Sequence, residues 1–95
     1  MSVVRVGEFR AAEGRADALA ASLASIRPII LGSEGAVSCE ILRDRADPGR
    51  FLVIEHWQTT EAHQASVKNI PPEMFKTAMA LFAEPPKGSY FDGLA

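Results

Sequence analysis

Arg50-Phe51-Leu52-Val53-Ile54-Glu55-His56-Trp57 is the most strand-like run of the chain, and its reading decides the fold. Phe51, Val53, Glu55 and Trp57 share one face of an extended backbone; Leu52, Ile54 and His56 share the other. Apolar residues on both faces describe a strand covered from two sides. Immediately before it, Asp44-Arg45-Ala46-Asp47-Pro48-Gly49 is rich in turn formers. Ala36 to Arg43 precedes that turn as a second alternating run, with Val37, Cys39 and Ile41 on one side. Two strands so closely spaced pair as an antiparallel hairpin.

Working outward, Val3 to Phe9 alternates loosely and reads as an earlier strand, with Gly7 a weak point unless something packs closely there. From Glu13 the period changes: Ala16, Leu19, Leu23, Ile26 and Ile30 lay one apolar stripe along a helix. Pro28 is expected to bend or end it near Arg27. After the central strand, Thr59-Thr60-Glu61 gives a cap and an acid for a helix start. That helix is broken at Asn69-Ile70-Pro71-Pro72 and resumes with a stripe of Phe75, Met79 and Phe82. Ser89 to Leu94 is a short last strand. The order β-α-β-β-α-β is the split βαβ, ferredoxin-like arrangement: a single α+β domain over residues 1–95, a four-stranded antiparallel sheet with helices on one face. The opposite sheet face is apolar too, so a second subunit is the expected cover and a homodimer the expected assembly.

Composition narrows the partners. A chain of 95 residues builds a thin core, for which association is a common remedy. Net charge −2 with scattered basic residues gives no footprint for nucleic acid. No apolar run approaches the ~20 residues of a membrane span, and Arg5, Glu8 and Arg10 spoil any secretory leader. The single cysteine, Cys39, allows neither an internal disulfide nor a thiol metal cluster. A cytoplasmic location follows as the expectation.

Few residues carry chemistry. His63 shares a helical face with Val67 and is expected to point inward, between the broken helix and the sheet. An imidazole with an ordinary pKa near ~6.5 can act as a base at neutral pH. On pattern alone, a buried histidine bonded to a backbone carbonyl is the better account of it. Trp57 reads as core, its N–H given to a nearby acceptor. Glu55, a carboxylate among apolar neighbours, needs partners such as Arg5 or backbone amides. His56 faces the other way, toward a subunit interface. Phe75, Met79 and Phe82 form a core stripe first and a pocket wall second. Two histidines seven positions apart make a poor metal signature, so no metal is expected.

Several segments, in this order, carry a family likeness: Glu8-Phe9-Arg10-Ala11 with Gly14, Glu34-Gly35, Arg43-Asp44, Asp47-Pro48, Glu55-His56-Trp57, Ala62-His63-Gln64-Ala65-Ser66, and Leu81-Phe82-Ala83-Glu84-Pro85-Pro86. Through them the chain resembles the antibiotic biosynthesis monooxygenase domain family, small dimeric α+β barrel proteins. The resemblance implies an oxidation needing no flavin, haem or metal, with O₂ and a small electron-rich aromatic (a quinol, anthrone or polycyclic phenol) as substrates. It implies His63 as general base, and Trp57, Phe75, Met79 and Phe9 as substrate-binding residues. The chain departs from many relatives in having only five residues between Trp57 and His63. A non-catalytic small-molecule binder or an isomerase of the same fold are the alternatives. Haem degradation ranks below them, because no asparagine precedes Asn69 and the sole tryptophan falls on a strand.

Overall fold

The structure, a computed structural model, describes residues 2–94. Strand β1 (Val3–Arg10) leads to helix α1 (Ala16–Leu31), then β2 (Ala36–Arg43) and β3 (Arg50–Trp57). Helix α2 (Thr60–Ser66), a 3₁₀ turn (Val67–Asn69) and helix α3 (Pro72–Met79) follow, and β4 (Lys87–Asp92) closes the chain. The sheet order is β2-β3-β1-β4 with every pairing antiparallel, the α+β ferredoxin-like topology. Among the described residues no helix is long and apolar enough to cross a membrane.

β3 alternates strictly between enclosed and half-buried side chains. Phe51, Val53, Glu55 and Trp57 lie under the helices, and the cross-strand register brings Phe9, Gly7, Arg5 and Val3 of β1 to the same side. Leu19 and Leu23 of α1 meet Cys39, Phe51 and Val53 as the core. On the other side of the sheet Val4, Val6, Leu52 and Ile54 are only half-buried, and Leu42 and Phe91 are exposed.

α1 runs past Pro28 to Leu31, further than the expected end at Arg27. The proline removes one helical donor, but Ile26 just before it is buried, and Ile30 in the last turn packs on the core. The Gly32 amide then closes the helix onto the Pro28 carbonyl at 2.9 Å. Tertiary burial outweighs the local penalty. α3 stops at Met79, so Phe82 lies beyond the helix, in a bridge between Ala11 and Phe82. β4 starts two residues earlier than expected and ends at Asp92, leaving Leu94 almost wholly exposed. Val67 is likewise exposed, where the sequence placed it inward beside His63.

Gly35 fixes how α2 meets the sheet. It adopts φ +85°, and its carbonyl accepts from the Gln58 amide at 2.8 Å. A Cβ there would stand 2.6 Å from the Ala62 methyl, so the helix approaches as closely as glycine permits. Gly35→Ala is expected to lower stability by about 1–3 kcal/mol, through the strained φ and the Ala62 clash together. Denaturant titration checks this, with a fall in midpoint at unchanged slope.

Candidate functional site

The helix-facing side of the sheet divides into a polar corner and an apolar cavity. The corner starts from Glu55 and Trp57, two residues apart on β3 and therefore on one face. Trp57 is fully buried, and its indole Nε1–H donates to Glu55 Oε1 at 2.8 Å. The pattern's reading of Trp57 as a core residue with its N–H given to a nearby acceptor matches this enclosure. Burial pushes the Glu55 carboxyl above its ordinary range, while the Trp57 hydrogen bond and the charge of Arg5 pull it down. Cys39 lies opposite Glu55 in the β2–β3 register, and burial, with Glu55 behind it, pushes the thiol up to about 11. A thiolate is not available there at neutral pH.

α2 brings His63 over this corner. Its N-terminus is capped by Thr59, whose hydroxyl accepts from the Ala62 amide at 3.0 Å. The imidazole meets Trp57 edge-on, with centroids 5.6 Å apart. It also meets Tyr90 of β4 edge-on at 5.4 Å, and its Nδ1 lies 2.6 Å from the Tyr90 hydroxyl. Burial first, and then the Arg5 charge, hold the His63 pKa below its ordinary value, so the ring is neutral at neutral pH.

Arg5 completes the group. β1 places it beside Glu55 on one flank and Tyr90 on the other. Its guanidinium carbon stands 4.8 Å from the Tyr90 ring centroid, a cation–π contact. The guanidinium runs across Gly88, where any Cβ would collide with it. Among the described residues no carboxylate pairs with Arg5 within ion-pair distance, whereas Arg10, Arg43 and Arg50 are all paired.

The apolar cavity encloses about 140 Å³ between the sheet and α1 and α3. Phe9, Val53, Phe75, Met79 and Phe82 are among its walls, and the Phe9 and Phe82 rings stand 5.4 Å apart. Phe75 and Met79 are 44% and 55% exposed, so the cavity opens along α3. The structure therefore brings Phe9, Phe75 and Met79 together. It brings Trp57 and His63 together elsewhere, since neither lines this cavity. Among the described residues no three His, Cys, Asp or Glu side chains converge as metal ligands would.

Tyr90 and the orientation of Arg5 were not picked out from sequence. The signal was available: in the split βαβ order the last strand pairs with the first, which sets the only tyrosine beside Arg5.

A ferredoxin-like sheet with a polar corner and an apolar slot under its helices defines the class. The chain belongs to the antibiotic biosynthesis monooxygenase family, whose model matches residues 2–81. No curated protein matches it by sequence. Among solved structures, a candidate antibiotic biosynthesis monooxygenase from Bordetella bronchiseptica is 21% identical, with 99% of this chain and 98% of that one covered and a TM-score of 0.86. A counterpart from Nitrosomonas europaea is also 21% identical, covering 98% and 90%, with a TM-score of 0.88. A point mutant of SnoaB, a cofactor-independent oxygenase from Streptomyces nogalater, is 18% identical, covering 97% and 92%, with a TM-score of 0.79. At these identities the likeness is one of fold.

The Glu55–Trp57 bond has a measurable consequence. Glu55→Ala strands a buried indole N–H and is expected to cost about 1–3 kcal/mol. Glu55→Gln keeps an acceptor and should cost less. Because the folded carboxyl titrates above its unfolded value, wild type loses stability relative to the glutamine variant as pH rises through the Glu55 pKa. Urea titrations of wild type and both variants at pH 4.5 and 7.5 check the order and the sign.

Proposed function

We propose that this protein is a monooxygenase that oxidises an electron-rich aromatic hydroxyl compound, a quinol or related phenol, with O₂ and without a resident cofactor. The observation that carries the reading is His63: a neutral imidazole in a half-buried corner, beside a guanidinium that no carboxylate pairs among the described residues. A neutral imidazole can take a proton. Arg5 favours the anion left behind. A phenolate gives up an electron to O₂ far more readily than its phenol, so base, orientation and exclusion of water are what the protein must supply.

The electron count closes on the substrate alone. A quinol and O₂ give a hydroxyquinone and water: one oxygen atom enters the ring, the other leaves as water, and the quinol is the only reductant. In this reading the substrate's hydroxyl sits at the polar corner and its carbon skeleton on the apolar side, towards Phe9, Phe75 and Met79. The cavity is close in size to the roughly 150 Å³ engineered voids that admit benzene, which favours one ring over several.

A second reading, a small-molecule binder without catalysis, has its own support. The cavity walls carry no proton acceptor, and His63 is not among them.

Oxygen-electrode assays with a quinol panel and chelator-treated protein separate the two. His63→Ala is expected to lower turnover by about 10²–10⁴-fold, the usual worth of a general base, while His56→Ala on the opposite sheet face keeps it. The wild-type rate should fall as pH drops through a His63 pKa below the ordinary value. Arg5→Met should move that limb to higher pH, since it removes a charge that disfavours the imidazolium. No oxygen uptake with any quinol favours the binder.

We also propose a homodimer through the open sheet face, where Val4, Val6, Leu52, Ile54, Leu42 and Phe91 lack a covering layer. Light scattering at micromolar concentration should give about twice the chain mass, and Ile54→Lys should reduce it to one chain. A monomeric wild type contradicts the proposal.

A further inference from the structure

We propose that Tyr90 is the group that meets the substrate's hydroxyl, and that His63 stands behind it as the final holder of the proton. This inference rests on reading the site as one that abstracts a proton, and it changes which side chain touches the substrate.

The hydrogen bond between Tyr90 and His63 is short, at 2.6 Å, and it has a direction. Burial and the Arg5 charge keep the imidazole neutral, so only one of its nitrogens has a lone pair. Two arrangements are possible: the phenol donates to Nδ1, or Nδ1–H donates to the phenol oxygen. The guanidinium lies over the Tyr90 ring at 4.8 Å and draws on its π electrons. That makes the hydroxyl a stronger donor, and as its own proton passes to Nδ1 its oxygen gains the basicity to take one from the substrate. The phenol is therefore the donor, Nδ1 has the lone pair, and the imidazole's own hydrogen is on Nε2. Nε2 cannot then accept a proton from a substrate.

The order of the strands supports the same assignment. β4 is the edge strand, β1 with Arg5 lies inside it, and β3 with Trp57 inside that. His63 touches Trp57 on the inner side and Tyr90 on the outer side. Along that line Tyr90 is the outermost of the three side chains. Its side chain is half-buried, while its strand neighbours Ser89 and Phe91 are exposed.

The step moves two protons in sequence, a net transfer of one from substrate to His63, and no electrons. The substrate O–H bond breaks and a new O–H forms on Tyr90 Oη. The original Tyr90 O–H breaks and N–H forms at His63 Nδ1. Tyr90 ends as it began, the substrate is a phenolate, and His63 is an imidazolium. The charged group acting on the His63 ring is Arg5 from β1; Glu55 of β3 lies behind Trp57, bonded to its indole N–H. With Glu55 ionised, the phenolate, imidazolium, guanidinium and carboxylate are formally neutral together.

Two measurements on the intact protein test the relay. ¹⁵N NMR of the His63 ring, distinguished from His56 by the His56→Ala variant, should show a proton on Nε2 and an accepting lone pair on Nδ1. Tyr90→Phe should raise the His63 pKa, because it removes a bond to the neutral ring. It should also lower quinol turnover by about as much as His63→Ala, on the order of 10²–10⁴-fold. A proton on Nδ1 of the neutral ring overturns the proposal. So does a Tyr90→Phe enzyme within about threefold of wild type while His63→Ala has lost its activity. A wild type that turns over no quinol removes the parent reading instead, and the ring-nitrogen assignment still decides the hydrogen bond.

Discussion

A carboxylate enclosed among apolar side chains must be paired, and the pairing of Glu55 with the Trp57 indole is the constraint on which the polar end of this fold depends. The two residues can bond because they are two apart on a strand whose helix-facing side chains are all enclosed. Fixing the indole gives the His63 ring a flat wall on its inner side. Tyr90 then orients the half-buried imidazole, which burial and the charge of Arg5 keep neutral. The same strand builds the other end of the layer, where Phe51 and Val53 meet α1. One alternating run thus supports both the core and the candidate chemistry.

The two ends are built from different materials. Towards Phe9 and Phe82 the space under the helices is apolar and partly open along α3. Towards Trp57 it is filled by side chains that hold or share protons. An aromatic alcohol has the same division, a flat apolar body with one polar end. That match supports the reading that His63 carries. The mouth at Phe75 and Met79 is the softer boundary, since both side chains are largely free of neighbours that would hold them.

Much of the fold was legible because periodicity reports burial. The β-α-β-β-α-β order, the hairpin about Asp44–Gly49 and the opposed faces of β3 follow from spacing alone. The misjudged boundaries have one cause, packing that overrides local propensity. Pro28 is absorbed because Ile26 and Ile30 anchor the turn around it. Phe82 leaves the helix that its spacing assigned it and packs against Phe9. The site was legible in part. His63 and Trp57 stood out as chemical residues on an apolar pattern. Their meeting with Tyr90 and Arg5 depends on which strands are neighbours, and that is a property of the closed sheet rather than of any short stretch.

In the proposed reaction the substrate itself supplies every electron for the reduction of O₂. Oxygen-isotope labelling tests it most directly, with metal-stripped protein and a single-ring quinol under ¹⁸O₂. The expected result is one ¹⁸O atom per molecule of hydroxyquinone, the other ¹⁸O in water, and no requirement for added flavin, haem or metal. A product carrying oxygen only from solvent, or turnover restored only by adding one of those cofactors, would contradict it.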